Sequence, residues 1–178
     1  GLGVEHILVG LDHLVFLLGL VVMGGSGRAL LAVITAFTLG HSLSLALGAL
    51  ATWTPSPALV EPLIALSVAY VGLENLRRPA PRQRWRIALP FGFVHGFGFA
   101  GALIEIGLPT EGIAARLLLF NLGVELGQIA ALAVMLPALA ALGRARALAG
   151  RPWRRWVSAA IALAGLAWFI ARIAALFG

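Results

Sequence analysis

The sequence predicts an all-α polytopic membrane bundle: six transmembrane helices in one domain over residues 1–178, with the N-terminus and C-terminus both outside. Three observations lead there. The chain is 61% hydrophobic and only 11% charged, against about 25% charged in soluble domains, and a core of this size cannot hide so much apolar surface. Several runs near 20 residues are almost free of charge, each long enough for roughly 30 Å of hydrocarbon. The basic residues, finally, cluster in alternate short loops.

The first helix is expected over 4–23, ending at Gly24-Gly25-Ser26-Gly27. The second covers 29–52 and stops at the turn Thr54-Pro55-Ser56-Pro57. The third spans 58–76, ahead of Arg77-Arg78-Pro79. The remaining three cover 87–107, 113–141 and 154–177. Pro and Gly mark nearly every boundary, as breakers should. Pro90 and Pro137 fall inside apolar runs, which packed membrane helices tolerate.

All 13 basic residues are arginine and the net charge is +6. Arg28, then Arg77, Arg78, Arg82, Arg84 and Arg86, then Arg144, Arg146, Arg151, Arg154 and Arg155 fall in alternate loops. Only Arg116 and Arg172 lie on the other side. The orientation rule puts the larger group in the cytoplasm, which explains the clustering better than a nucleic-acid-binding face does. Trp53, Trp85, Trp153 and Trp156 sit near helix ends, as an interfacial aromatic belt requires. With no cysteine, disulfides, thiolate metal sites and cysteine nucleophiles are excluded. Residues 1–23 lack a basic start and carry acids and histidines, so they are not a signal peptide. The opening Gly1 leads us to expect that an upstream segment has been removed.

A few polar side chains at membrane depth carry the functional argument. His6 and His13 are seven residues apart, about 10.5 Å along a continuous helix axis, and Asp12 adjoins His13. The second helix places Thr38, His41 and Ser42 at i, i+3 and i+4, and His95 is central in the fourth. In the fifth, Asn121, Glu125 and Gln128 form one polar stripe. An ionised group at a helix centre costs roughly 2.5–3.5 kcal/mol on insertion scales, so such groups face the bundle interior and find partners. Imidazoles with carboxylates suit Ni, Zn, Fe or Co.

Blander readings stand beside this one. His41 alone is equally well a hydrogen-bond donor between helices, and the Asn121-Glu125-Gln128 stripe can be interhelical glue. Gly96, Gly98 and Gly101 fit close helix packing. Glu61, Glu105 and Glu111 are simplest as solvated ends, and Glu74 with Asn75 as interfacial partners of the arginines. What resists is the coincidence of one aspartate, one glutamate and three histidines at similar depth on four helices.

The element His6-x5-Asp12-His13, the stretch TAFTLGHSLSLALGAL from Thr35, VHGFGFA from Val94 and FNLGVELGQ from Phe120 resemble the HupE/UreJ family. The resemblance runs from Gly3 to about Gln128. It implies a small membrane protein associated with hydrogenase or urease gene clusters, a nickel permease or metal-transport accessory of the bacterial inner membrane. It also implies that His6, Asp12 and His13 carry the family's first signature and His95 stands in the second. The nickel branch's second motif, F-H-G-x-[A/V]-H-G-x-E, is not reproduced, since Val94–Ala100 holds one histidine and no glutamate. The chain is similar to the second, less characterised branch, in which an extracytoplasmic segment often precedes the membrane part.

Three functions follow as expectations. The first is a divalent-metal permease or metal-handling protein, nickel first. Asp12, His13, His41 and His95 form its site, and Glu125 is a further ligand or a base behind it. His6 with Glu5 serves as an outer station, while Thr38, Ser42, Asn121 and Gln128 support the ligands. Protonation competes with the metal, so binding should weaken below about pH 6. The second is an intramembrane metal-dependent hydrolase of a lipid or peptide, with Glu125 as candidate base. The third is a non-catalytic anchor whose polar groups only hold the bundle together. Lipid, a metal ion and an extracytoplasmic partner are the expected companions, and nucleic acid is not.

Overall fold

The computed structural model describes residues 1–51, 53–77, 83–106 (side chains as far as Gly101) and 112–177. Arg78, Arg82, Glu111 and the Glu105 side chain lie outside the described residues. The described chain is all-α: α1 (Leu2–Val9), α2 (Leu11–Val21), α3 (Gly27–Ala51), α4 (Pro57–Arg77), α5 (Trp85–Ile106), α6 (Ile113–Arg144) and α7 (Trp153–Ala174). Expected helices two to six fall on α3–α7 with ends shifted by at most three residues. Among the described residues, α3, α4, α6 and α7 are long and apolar enough to cross a membrane, and the pair α1 and α2 counts as a fifth span if taken together.

The first expected helix is corrected by that pair. It is not continuous: α1 and α2 meet at Gly10 with a bend of 73°. Gly10 takes an extended conformation, φ −71° and ψ 97°, while its N–H still donates to the His6 carbonyl at 3.1 Å. A Cβ there would sit 2.7 Å from His13 Nδ1 and 2.8 Å from the His6 carbonyl oxygen. The glycine is required by this close approach, and a break in the α-helical ladder at one residue is enough to turn the axis.

Helices pair through small residues, as expected where lipid offers no hydrophobic drive for association. The α3–α5 contact closes on Gly40 against the Leu89 carbonyl, Gly92 against Phe37, and Gly96 against His41 and Ser44. Likewise α1 lies on α6 through Gly3, Gly123 and Gly127, and α4 on α7 through Gly72 and Gly165. The main apolar cluster gathers Phe16, Leu20, Val33, Phe37, Val68 and Ile161 from four helices, joined by Ala88 of α5 and Leu132 of α6. A smaller one holds Leu45, Ala100 and Leu117. Along α3 and α5 the histidines fall between the two.

The arginine-rich end departs from a purely topological role. Arg84 is buried, and its guanidinium donates to the Gly19 carbonyl at 2.8 Å, to the Leu20 carbonyl and to Asn75 Oδ1. Asn75 is an arginine partner, as expected, but is fully buried rather than solvated, and it donates to the same Gly19 carbonyl at 2.8 Å. Together they satisfy the carbonyls that α2 leaves open at its end. Trp153, expected in the belt, is also buried, whereas Trp53 and Trp156 are exposed.

Candidate metal centre

The bend at Gly10 folds α1 back so that His6 stands beside His13, their ring centroids 4.6 Å apart. This replaces the axial separation expected on one straight helix and removes the distinction between an outer station and an inner site. His41 of α3 joins them, 5.6 Å from His6 and 6.3 Å from His13 by centroid. One ring nitrogen from each of the three lies within 4.8 Å of the others. Nitrogens 2.1 Å from a shared tetrahedral ion sit about 3.4 Å apart, so adjustments of roughly 1 Å would close the set.

Hydrogen bonds decide which nitrogen His13, His41 and His95 offer. Asp12 Oδ1 accepts from the His13 backbone N–H at 2.9 Å and faces its Nδ1 at 3.0 Å. A carboxylate only accepts, so Nδ1 carries the proton and Nε2 keeps its lone pair. Asn121 donates its amide N–H to the Leu117 carbonyl at 2.8 Å, leaving Oδ1 as acceptor for His41 Nδ1 at 3.4 Å. His41 is thereby set in the same tautomer. The Ser67 hydroxyl gives its proton to the Ile64 carbonyl at 2.7 Å, so its oxygen accepts from His95 Nε2 at 2.9 Å. His95 then offers Nδ1.

The nitrogens left over are His6 Nε2, His13 Nε2, His41 Nε2 and His95 Nδ1, and each is buried with no partner among the described residues. An unpaired buried polar atom costs about 1–3 kcal/mol, and four in one place point to something that would pair with them. Neutral imidazoles held from behind, as His13, His41 and His95 are by a carboxylate, an amide and a hydroxyl, are what a borderline divalent cation requires. His95 is outside the tight group of three but packs on His13, ring centroids 4.9 Å apart.

The other expected ligands sit around the cluster. Asp12 grips the back of His13. Glu125 is engaged elsewhere, accepting from the Thr35 hydroxyl at 2.9 Å. Thr38 donates to Gln128 Oε1 at 3.1 Å, a second polar rung between α3 and α6. Ser42 turns back to the Thr38 carbonyl at 2.6 Å. Phe99 and Phe120, stacked with centroids 4.6 Å apart, cover His6.

A cavity of about 560 Å³ leads to the histidines from the end of the bundle where the chain begins. His6, His13, His95, Glu5, Asp12, Glu61 and Arg172 are among its lining residues. Three carboxylates against one guanidinium leave the approach net acidic, which favours a cation.

The HupE / UreJ protein family model matches residues 1–172. The chain belongs to the HupE/UreJ family. The match takes in helix α7 as far as Arg172 and so covers every residue of the site. No curated protein and no solved structure matches this HupE/UreJ chain. Sequence reasoning missed Ser67, Thr35 and the role of Arg172. Ser67 carries a usable signal, a lone serine in the apolar run of α4. Arg172, inside the expected helix 154–177, enters the sequence reading only through the arginine asymmetry.

Proposed function

We propose that this protein is a divalent-metal permease or metal-handling protein of the bacterial inner membrane, with nickel as first cargo and Zn, Fe or Co as alternatives. One observation carries the reading: four imidazoles, each with a single buried and unpartnered nitrogen, three of them converging. His6, His13 and His41 would bind the cation and His95 would supply a fourth donor. Asp12, Asn121 and Ser67 orient the rings. The acidic cavity would gather the ion, and an imidazole site reached from water through it would bind weakly enough to release it. The arginine distribution and the 22 residues of α5, about 33 Å of helix, support six spans with both termini outside.

Nickel(II) binding to detergent-purified protein tests this, read by equilibrium dialysis with zinc and cobalt alongside. The wild type should bind about one ion and a His13→Ala, His41→Ala double variant none. Equal, negligible metal in both would refute the site. Uptake into proteoliposomes then separates a permease from a metal-holding accessory.

A metal-dependent hydrolase draws on one observation, the cavity volume, which suits a small-molecule pocket. Its expected base, Glu125, is engaged by Thr35 and is not among the residues lining that cavity. Turnover of a lipid or peptide by zinc-loaded protein, lost in the double variant, would favour it.

A further inference from the structure

We infer that Arg172 is a positioning residue for the histidine cluster. It holds Asp12 in the orientation that fixes the His13 tautomer and aims His13 Nε2 at the cation. This rests on the reading of the cluster as a cation site.

Arg172 lies near the end of α7, half-buried at the mouth of the cavity. Its Nη1 donates to the Glu61 carbonyl at 2.7 Å, and its Nε is 3.9 Å from Glu61 Oε2, which anchors the guanidinium on α4. Its Nη2 reaches Asp12 Oδ2 at 3.5 Å. The other carboxylate oxygen, Oδ1, is committed to the backbone and ring of His13. Asp12 is thus held at both ends, and the plane of the carboxylate cannot turn without breaking one grip. Without the guanidinium, Oδ2 faces the cavity unpaired. The carboxylate can then rotate, and His13 loses the fixed acceptor that keeps its proton on Nδ1.

The sign of the effect separates this role from a simpler one. A fixed positive charge beside a cation site repels the cation, so on Coulombic grounds alone its removal should tighten binding. If the guanidinium acts by positioning, its removal should loosen binding, because outer partners of metal-binding histidines are worth about 10–100-fold in affinity.

The experiment measures nickel(II) affinity of the full chain in detergent for wild type, Arg172→Ala, Arg172→Lys, Asp12→Asn and the Asp12→Asn, Arg172→Ala pair. Arg172→Ala should weaken binding by about tenfold or more. Lysine should recover part of the loss, and Arg172→Ala should add little in the Asp12→Asn background, as expected for residues acting through one another. Nitrogen-15 spectra of the metal-free protein should show His13 protonated at Nδ1 in wild type and a mixture of tautomers in Arg172→Ala. Unchanged or tighter binding in Arg172→Ala, or an unchanged His13 spectrum, overturns the inference. Should the alanine variant fail to fold, the lysine variant carries the same two readouts. A wild type that binds no metal refutes the cluster itself, whereas a wild type that binds beside an indifferent Arg172→Ala refutes only the positioning role.

Discussion

His13 has unlike surroundings on its two nitrogens: a carboxylate 3.0 Å from Nδ1 and, among the described residues, no partner for Nε2. That asymmetry makes it a defined donor, and Asp12→Asn should blunt it. An amide can turn its NH2 toward the ring, so nickel affinity should fall about 10–100-fold, read by competition with a chromogenic chelator. Of this site, the sequence shows the ring types and the neighbour Asp12, because a charge beside a histidine in an apolar run is conspicuous. It does not show that Ser67, 28 positions away, engages His95, nor that Glu125 is taken by Thr35. Those pairings depend on how helices rotate against each other, which no single run encodes.

At the scale of elements, the helix ends were readable because Pro and Gly punctuate them, while the break at Gly10 was not. A lone glycine in an apolar run is usually tolerated inside a helix, and here only the crowding of His6 and His13 shows why it must be glycine. Gly10→Ala should push its methyl against His13 Nδ1 and weaken nickel binding, with helix content by circular dichroism unchanged. Gly40→Val probes a different contact. Any Cβ there overlaps the Leu89 carbonyl, so α3 and α5 must part, at a cost of about 1–3 kcal/mol from overpacking. A lowered thermal midpoint in detergent would register it.

For the whole molecule, Arg84 ties α2, α4 and the start of α5 at the end opposite the cavity. Burial pushes its guanidinium down to about 10, with Glu74 acting the other way, so it remains charged at neutral pH. Arg84→Ala should strip the Gly19 and Leu20 carbonyls and Asn75 of a donor, a loss of about 3 kcal/mol. Thermal unfolding should come earlier, with nickel affinity in the surviving fold unaltered. The bend at Gly10 has its own consequence at this scale. With α2 along the bilayer normal, its eleven residues rise about 16 Å, and α1, tilted by 73°, adds only about 4 Å. Taken as one span, the pair would fall some 10 Å short of the hydrocarbon thickness. Lipid would have to thin, or water to dip, beside such a span. An ion would then shed most of its hydration shell over a short descent into a shallow well, with no long tunnel to traverse.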